Sequence, residues 1–257
     1  MTASKSTLIG GASFGHFRAE QNALYQDERS SMSSLLHRIG REIIGGVYGE
    51  GDLMPNEATM LAKYAVSRTS LREAYSKLTA KGLISARPKV GTSVRTRDNW
   101  NMLDSEVLVW HLQTIPAEEI AADLYELRRM VEPSASEMAA ERRTDADMVE
   151  IDAAFAAMKA NALQEFELVE ADFQFHLAIL NATKNPFINA FSALIHAAMI
   201  STFELSWRGA EVIKDQRLAQ HGAVADAIRD QEPAKARTLM EELLDESIND
   251  VSGALRK

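Results

Sequence analysis

The sequence predicts a mainly α fold in two parts: a small head of three helices and one β-hairpin, then a larger, all-α bundle. Two observations predict it. Apolar residues recur at helical spacing through most of the chain from Ser34 onward, and β-type runs interrupt them only between Leu83 and Val94. Charge divides at nearly the same place: residues 1–100 hold 14 Lys and Arg against 9 Asp and Glu, net +5, whereas residues 101–257 hold 14 against 28, net −14, together the −9 of the whole chain. Taken whole, that acidity argues against a polyanionic partner; divided, it directs the question to the basic head.

The chain has 257 residues, 46% hydrophobic and 25% charged, enough to bury two cores of ordinary size. It has no cysteine, which excludes disulfides, thiolate nucleophiles and cysteine zinc clusters, so any metal must be held by His and carboxylates. The N-terminus lacks a secretory pattern, and no run approaches the roughly 18 apolar residues that span a bilayer, so a cytoplasmic protein with no membrane partner is expected.

Residues 1–33, rich in Gly, Ser, Gln and Asn, show no sustained period and read as a mobile arm. Leu35, Leu36, Ile39, Ile43 and Ile44 then mark a first helix that Gly45-Gly46 stops. Pro55-Asn56-Glu57 opens a second, carrying Met60, Leu61 and Tyr64, and Ser67 is a good N-cap for a third through Leu71, Ala74, Tyr75 and Leu78. Two short helices with a tight joint form a helix-turn-helix pattern. Gly82 ends the third helix, and the runs 83–85 and 92–94 flank the turn 86–91, a hairpin that completes a winged helix over 34–96. Residues 97–104 read as a polar linker. Helices are expected at 105–113, 118–142, 145–161, 164–181, 186–206, 216–230 and 233–254, making 105–254 an all-helical domain. Pro133, interior to one of them, predicts a kink or a break.

Arg68 and Arg72 share a face at the start of the third helix, where a recognition helix meets base edges, and Arg suits the bidentate guanine contact. Thr69 and Ser70 can donate to phosphate or base. Arg87 and Lys89 beside Gly91 on the hairpin tip supply a second contact to backbone or minor groove. In the helical part, Asp172 and His176 at i, i+4 can reach one ion; the alternative is a buried hydrogen-bonded pair. Arg128, amid Leu124, Leu127 and Val131, either snorkels to solvent or pairs with an anion inside. His196 reads as a core histidine, His16, His37 and His111 have no partners in sequence, and Trp100, Trp110 and Trp207 read as packing residues.

Pro55-Asn56-Glu57, the run from Ser67 to Ala74, Leu78, Gly82-Leu83-Ile84 and Gly91-Thr92-Ser93-Val94 together resemble the winged-helix head of the GntR family of bacterial transcriptional regulators. The resemblance implicates Arg68, Thr69, Ser70, Arg72 and Gly91 in DNA contact. Ala58 departs from it, standing where many members have Arg, and so does Lys89, where the wing often has Gly. The run 124–133, Asp172-Phe173-Gln174-Phe175-His176, Asn185-Pro186 and His221 resemble the effector domain (FCD) of the FadR-type subfamily. That implies a divalent metal, Zn first with Ni or Mn as alternatives, on Asp172, His176 and His221, with Arg128 beside the effector. The family's last His is missing: Leu243 stands nearest its position, leaving three ligands, or Glu242 or Glu246 after a shift of the helix. Residues 97–110 resemble the linker of the family's sugar-acid regulators. The resemblance therefore implies a homodimeric repressor of a catabolic operon, bound to a palindromic operator and released by a small carboxylate, a sugar acid ahead of aromatic or other organic acids. A metal-dependent enzyme built on Asp172, His176 and His221 is the competing reading, disfavoured because no general-base motif accompanies them.

Overall fold

The computed structural model describes residues 31–160, 165–206 and 211–255. The expected arm, with His16, falls almost wholly outside the described residues, as does Trp207. Two compact units divide the chain at Ile115/Pro116.

In the first unit, α1 (Ser31–Ile44), α2 (Glu57–Tyr64) and α3 (Arg68–Ala80) surround a core of Leu35, Ile39, Ile43, Met60, Leu71 and Leu78. The starts of α2 and α3 are capped, the latter as the sequence suggests: Asn56 accepts from the Thr59 N–H at 3.0 Å, and Ser67 from that of Ser70 at 3.1 Å. The wing consists of β1 (Ile84–Arg87) and β2 (Gly91–Val94), antiparallel, with the buried pair Ile84 and Val94 opposite each other. Its second edge is also paired, because Met54 donates to Thr92 O at 2.8 Å and Val94 to Asp52 O at 2.9 Å. Nothing in the short, mixed stretch 51–54 signals that pairing.

The expected linker and domain start are displaced. Residues 97–99 form a 3₁₀ turn and Trp100 is buried, its indole donating to Arg95 O at 3.0 Å. Helix α4 (Ser105–Thr114), expected to open the helical domain, belongs to the head. Val107 and Trp110 enter the head's core, and Trp110 Nε1 donates to His37 Nδ1 at 2.7 Å. Lys81 binds Asp104 at 2.7 Å and Glu106 at 2.5 Å. A buried Trp with a satisfied N–H and a cation beside it outweighs the polar character of 97–104 that suggests a loose joint.

The second unit is helical throughout among the described residues: α5 (Ala117–Arg142), α6 (Asp145–Ala160), α7 (Glu165–Ala182), α8 (Pro186–Asn189), α9 (Ser192–Ser206), α10 (Glu211–Arg229) and α11 (Pro233–Leu255). Helix α5 is central, packing against α7, α9, α10 and α11. Pro133 does not break it. The buried ring is carried inside one continuous helix, where an interior proline costs about 3 kcal/mol through its missing N–H and its steric clash. The single helix expected over 186–206 is instead α8 and α9, parted at Ala190-Phe191. The side chain of Asn189 donates to Asn181 of α7 at 2.8 Å, tying α8 back to its predecessor, a tertiary contact with no local sequence signal.

Candidate DNA interface and metal centre

The head exposes its expected cations at two places, the start of α3 and the wing that follows it. Arg68, Thr69 and Arg72 are exposed on α3, and Arg87, Lys89 and Gly91 at the wing. Arg68 is 77% exposed in its side chain and its Nε lies 3.5 Å from Glu57 Oε1 at the start of α2, a contact that orients it at little energetic gain. Ser70 differs from its neighbours. Its hydroxyl lies 2.9 Å from Ser67 Oγ within the cap, so its first use is to hold the helix start. Lys89 adopts φ +65° and Gly91 φ +117°, the latter a conformation for glycine, and this tight turn follows directly on Arg87, which pairs with Gly91 at the end of the hairpin. Sequence reading missed Val90, whose 62% exposure puts an apolar side chain between the two cations and the glycine.

The second cluster lies inside the helical unit, assembled from three helices. Helix α5 contributes Arg128 and Glu132, α7 contributes Asp172 and His176, and α10 contributes His221. Arg128 is only 4% exposed, Glu132 1% and His176 2%. Of the two fates open to Arg128, the inner one is realised, and its anion is a protein carboxylate: Nε donates to Glu132 Oε1 at 2.6 Å. Glu132 Oε2 in turn contacts His176 Nδ1. Glu132 had no part in the sequence-derived site, although its i, i+4 spacing from Arg128 was a usable signal.

Two imidazole nitrogens converge on Asp172. His221 Nε2 is 2.9 Å and His176 Nε2 3.4 Å from the same oxygen, Oδ1. The far nitrogens are engaged elsewhere, that of His176 by Glu132 and that of His221 by Arg217 O at 2.7 Å. Burial would raise the Asp172 carboxyl, but His221 and His176 hold it well below the usual carboxylate range. Burial likewise opposes ionisation of Glu132, yet the charges of Arg128 and His176 bring it down to about 2. His176, disfavoured as a cation by burial, is raised to about 9 by Glu132 and Asp172. The cluster therefore favours positive charge at the point where the two Nε2 atoms face Asp172.

A divalent ion fits that point. One donor atom from each of Asp172, His176 and His221 lies within 4.8 Å of the others, and the 2.9 and 3.4 Å from Asp172 Oδ1 to the two imidazoles are close to the roughly 3.3 Å between ligands about 2 Å from a tetrahedral ion. Asp172 Oδ1 and His221 Nε2 are shielded from solvent and no aligned hydrogen bond joins them, which leaves both atoms able to serve an ion. Leu243 is buried in the apolar cluster of α11 that also holds Ala171 and Phe175. Glu242 and Glu246 are exposed, so the helix is not shifted to bring either inward, and the protein's own ligand set stops at three among the described residues. His196 is a core residue as expected, stacked on Phe173 with centroids 4.0 Å apart.

Comparison with known proteins identifies the family of each unit. The family model for bacterial regulatory proteins of the gntR family matches residues 32–94, and that for the FCD domain residues 123–246. The chain belongs to the GntR family. The galactonate operon transcriptional repressor of Escherichia coli is 36% identical over 194 residues, covering 76% of this chain and 85% of the repressor. The regulator LutR of Bacillus subtilis is 29% identical over 204 residues, covering 77% of this chain and 90% of LutR. The fold is also that of a solved structure of Lar, which controls expression of the Listeria monocytogenes agr system: TM-score 0.61 at 15% identity, over 88% of this chain and 98% of that one. As a GntR-family member with an FCD domain, the protein is a DNA-binding transcriptional regulator rather than an enzyme. No helix among the described residues is long and apolar enough to cross a membrane.

Proposed function

We propose that this GntR-family protein is a homodimeric repressor of a catabolic operon, relieved by a small hydroxylated carboxylate bound beside a divalent metal in the helical domain. The observation that carries the reading is the convergence of His176 and His221 on one oxygen of Asp172, next to the buried Arg128. A Zn, Ni or Mn ion suits a set of two imidazoles and one carboxylate, and supplies a Lewis-acidic point of attachment for an anion. Asp172, His176 and His221 would hold it. With Leu243 in place of a fourth ligand, positions remain open for water or for the effector's carboxylate and hydroxyl.

Charge supports an anionic effector. Arg128 and Glu132 cancel, and Asp172 offsets half of a divalent ion, leaving one positive charge in a buried space that a carboxylate neutralises. The galactonate operon repressor at 36% identity makes sugar acids the first class to test, ahead of lactate-like, aromatic and other organic acids. In the head, Arg68, Thr69 and Arg72 would read base edges, Ser70 the phosphate at the helix start, and Arg87, Lys89 and Gly91 the flanking backbone or minor groove. Two heads related by a two-fold axis imply a palindromic operator. A head lying across a promoter blocks polymerase without a further contact, hence repression. The effector releases it only by binding more tightly to the arrangement of heads that does not fit DNA.

The test combines thermal shift and gel shift on the purified full chain, with and without chelator, against sugar acids, 2-hydroxy acids, dicarboxylates and aromatic acids. Stabilisation by a sugar acid that chelator abolishes, with release of operator DNA by the same compound, is the expected result. Stabilisation unaffected by chelator, in protein carrying less than about a tenth of an equivalent of metal, overturns the metal reading. Tightened operator binding on adding effector overturns repression by release.

A further inference from the structure

We propose that Glu132, held by Arg128, is the positioning residue of the metal centre, fixing His176 so that Nε2 alone is available as a ligand. The inference rests on the metal reading above and assigns this buried ion pair a task beside it. Imidazole offers two nitrogens, and a metal site works only when the correct one carries the lone pair. Glu132 Oε2 contacts Nδ1 of His176, while Nε2 faces Asp172 Oδ1 at 3.4 Å. Arg128 donates to the other Glu132 oxygen at 2.6 Å, and its Nη2 lies 3.4 Å from Oε2. A carboxylate paired in this way is an acceptor only, so the proton between it and the ring sits on Nδ1. Nε2 then carries the ring's lone pair, 3.4 Å from both Asp172 Oδ1 and the donor Arg128 Nη2, and a cation would take the place of that weak guanidinium contact.

The two histidines are thereby made unequal. His221 is set by a neutral acceptor, Arg217 O at 2.7 Å, whereas His176 is set by a charged one. A carboxylate behind an imidazole raises the basicity of its ligating nitrogen and fixes the ring plane, and loss of such a partner weakens metal binding by about 10- to 100-fold. In a centre with three protein ligands, that contribution stands where a fourth ligand would otherwise supply affinity. It also accounts for the position of Arg128 and Glu132 at the middle of α5, where both are excluded from water. Burying two charges is costly, and an ion pair used only for stability could be replaced by apolar side chains. An ion pair that aims a ligand cannot.

Zn²⁺ alone, competed against a chelating dye, is the probe for wild type, Glu132→Gln and the double variant Arg128→Met/Glu132→Gln. The double variant avoids leaving Arg128 buried without a counter-charge. Both variants are expected to bind Zn²⁺ about 10- to 100-fold more weakly than wild type while keeping the helical circular dichroism signal. Nitrogen-15 NMR of the Zn²⁺-loaded wild type is expected to show His176 metallated at Nε2, with a downfield proton on Nδ1. Because that readout uses wild type, it holds if either variant fails to fold. Zn²⁺ affinity unchanged in a folded variant, or metallation of His176 at Nδ1, overturns the role of Glu132 while leaving the metal reading intact. A wild type that binds no Zn²⁺ overturns both.

Discussion

Arg68 and Arg72 are single exposed side chains whose loss removes little from the fold, and this makes their contribution to DNA binding separable from stability. Arg68→Ala or Arg72→Ala is expected to cost about 1–3 kcal/mol of operator binding, roughly 5- to 150-fold, with a melting temperature within about 1 °C of wild type. Fluorescence anisotropy with operator and scrambled DNA measures it; retention of sequence-specific affinity refutes the recognition-helix assignment. Ala65 is the converse case, a residue that strains the fold. It ends α2 at φ +53°, a left-handed conformation that costs a residue with a Cβ about 1–2 kcal/mol. Ala65→Gly is therefore expected to raise stability by about 1 kcal/mol in urea unfolding, since the glycine gives back part of the gain as unfolded-state entropy. His196 carries a pH dependence. Burial keeps it neutral, lowering its pKa to about 4 against the opposing charge of Glu170. The unfolded chain then takes up a proton first, so stability is intact above pH 6.5 and falls as pH drops toward 4, by on the order of 2–3 kcal/mol. His196→Phe, which keeps the stack on Phe173, is expected to flatten that limb of the stability curve.

Among the elements, α4 shows most plainly how local and tertiary information differ. Its helical period is legible in sequence, and the observed helix, capped by Asp104 and ending at Thr114, follows the expected 105–113 to within a residue. Its allegiance is not legible, because an apolar stripe says that a face is buried and not against what. Gly40 on α1 makes the docking possible: a Cβ there would lie 2.5 Å from the Trp110 ring. A fragment of residues 31–115 is therefore expected to unfold cooperatively by itself, whereas 31–104, lacking Val107 and Trp110, is expected to lose about 3–5 kcal/mol and to show a broad or absent transition. Circular dichroism melts of the two fragments decide it. The same distinction explains α8 and α9. Nothing at Ala190-Phe191 breaks a helix locally, and the Asn189–Asn181 contact that ties α8 to α7 is a tertiary one.

For the molecule as a whole, the two-part composition, the basic head and acidic body, the helix-turn-helix with its wing and the Asp172–His176 spacing are readable from periodicity, caps and charge, which are local or nearly so, whereas His221 joined them only through the family resemblance. The family comparisons agree with that reading at the level of a DNA-binding regulator. Only the tertiary structure decided three further things: that the head extends through Ile115, that Pro133 sits inside an unbroken helix, and that Glu132 joins Arg128 to His176. Each depends on which faces meet across tens of residues of sequence. A chain fixes its helices by interactions between neighbours, but a buried charge survives only where distant partners neutralise it, and that pairing exists only once the bundle has closed.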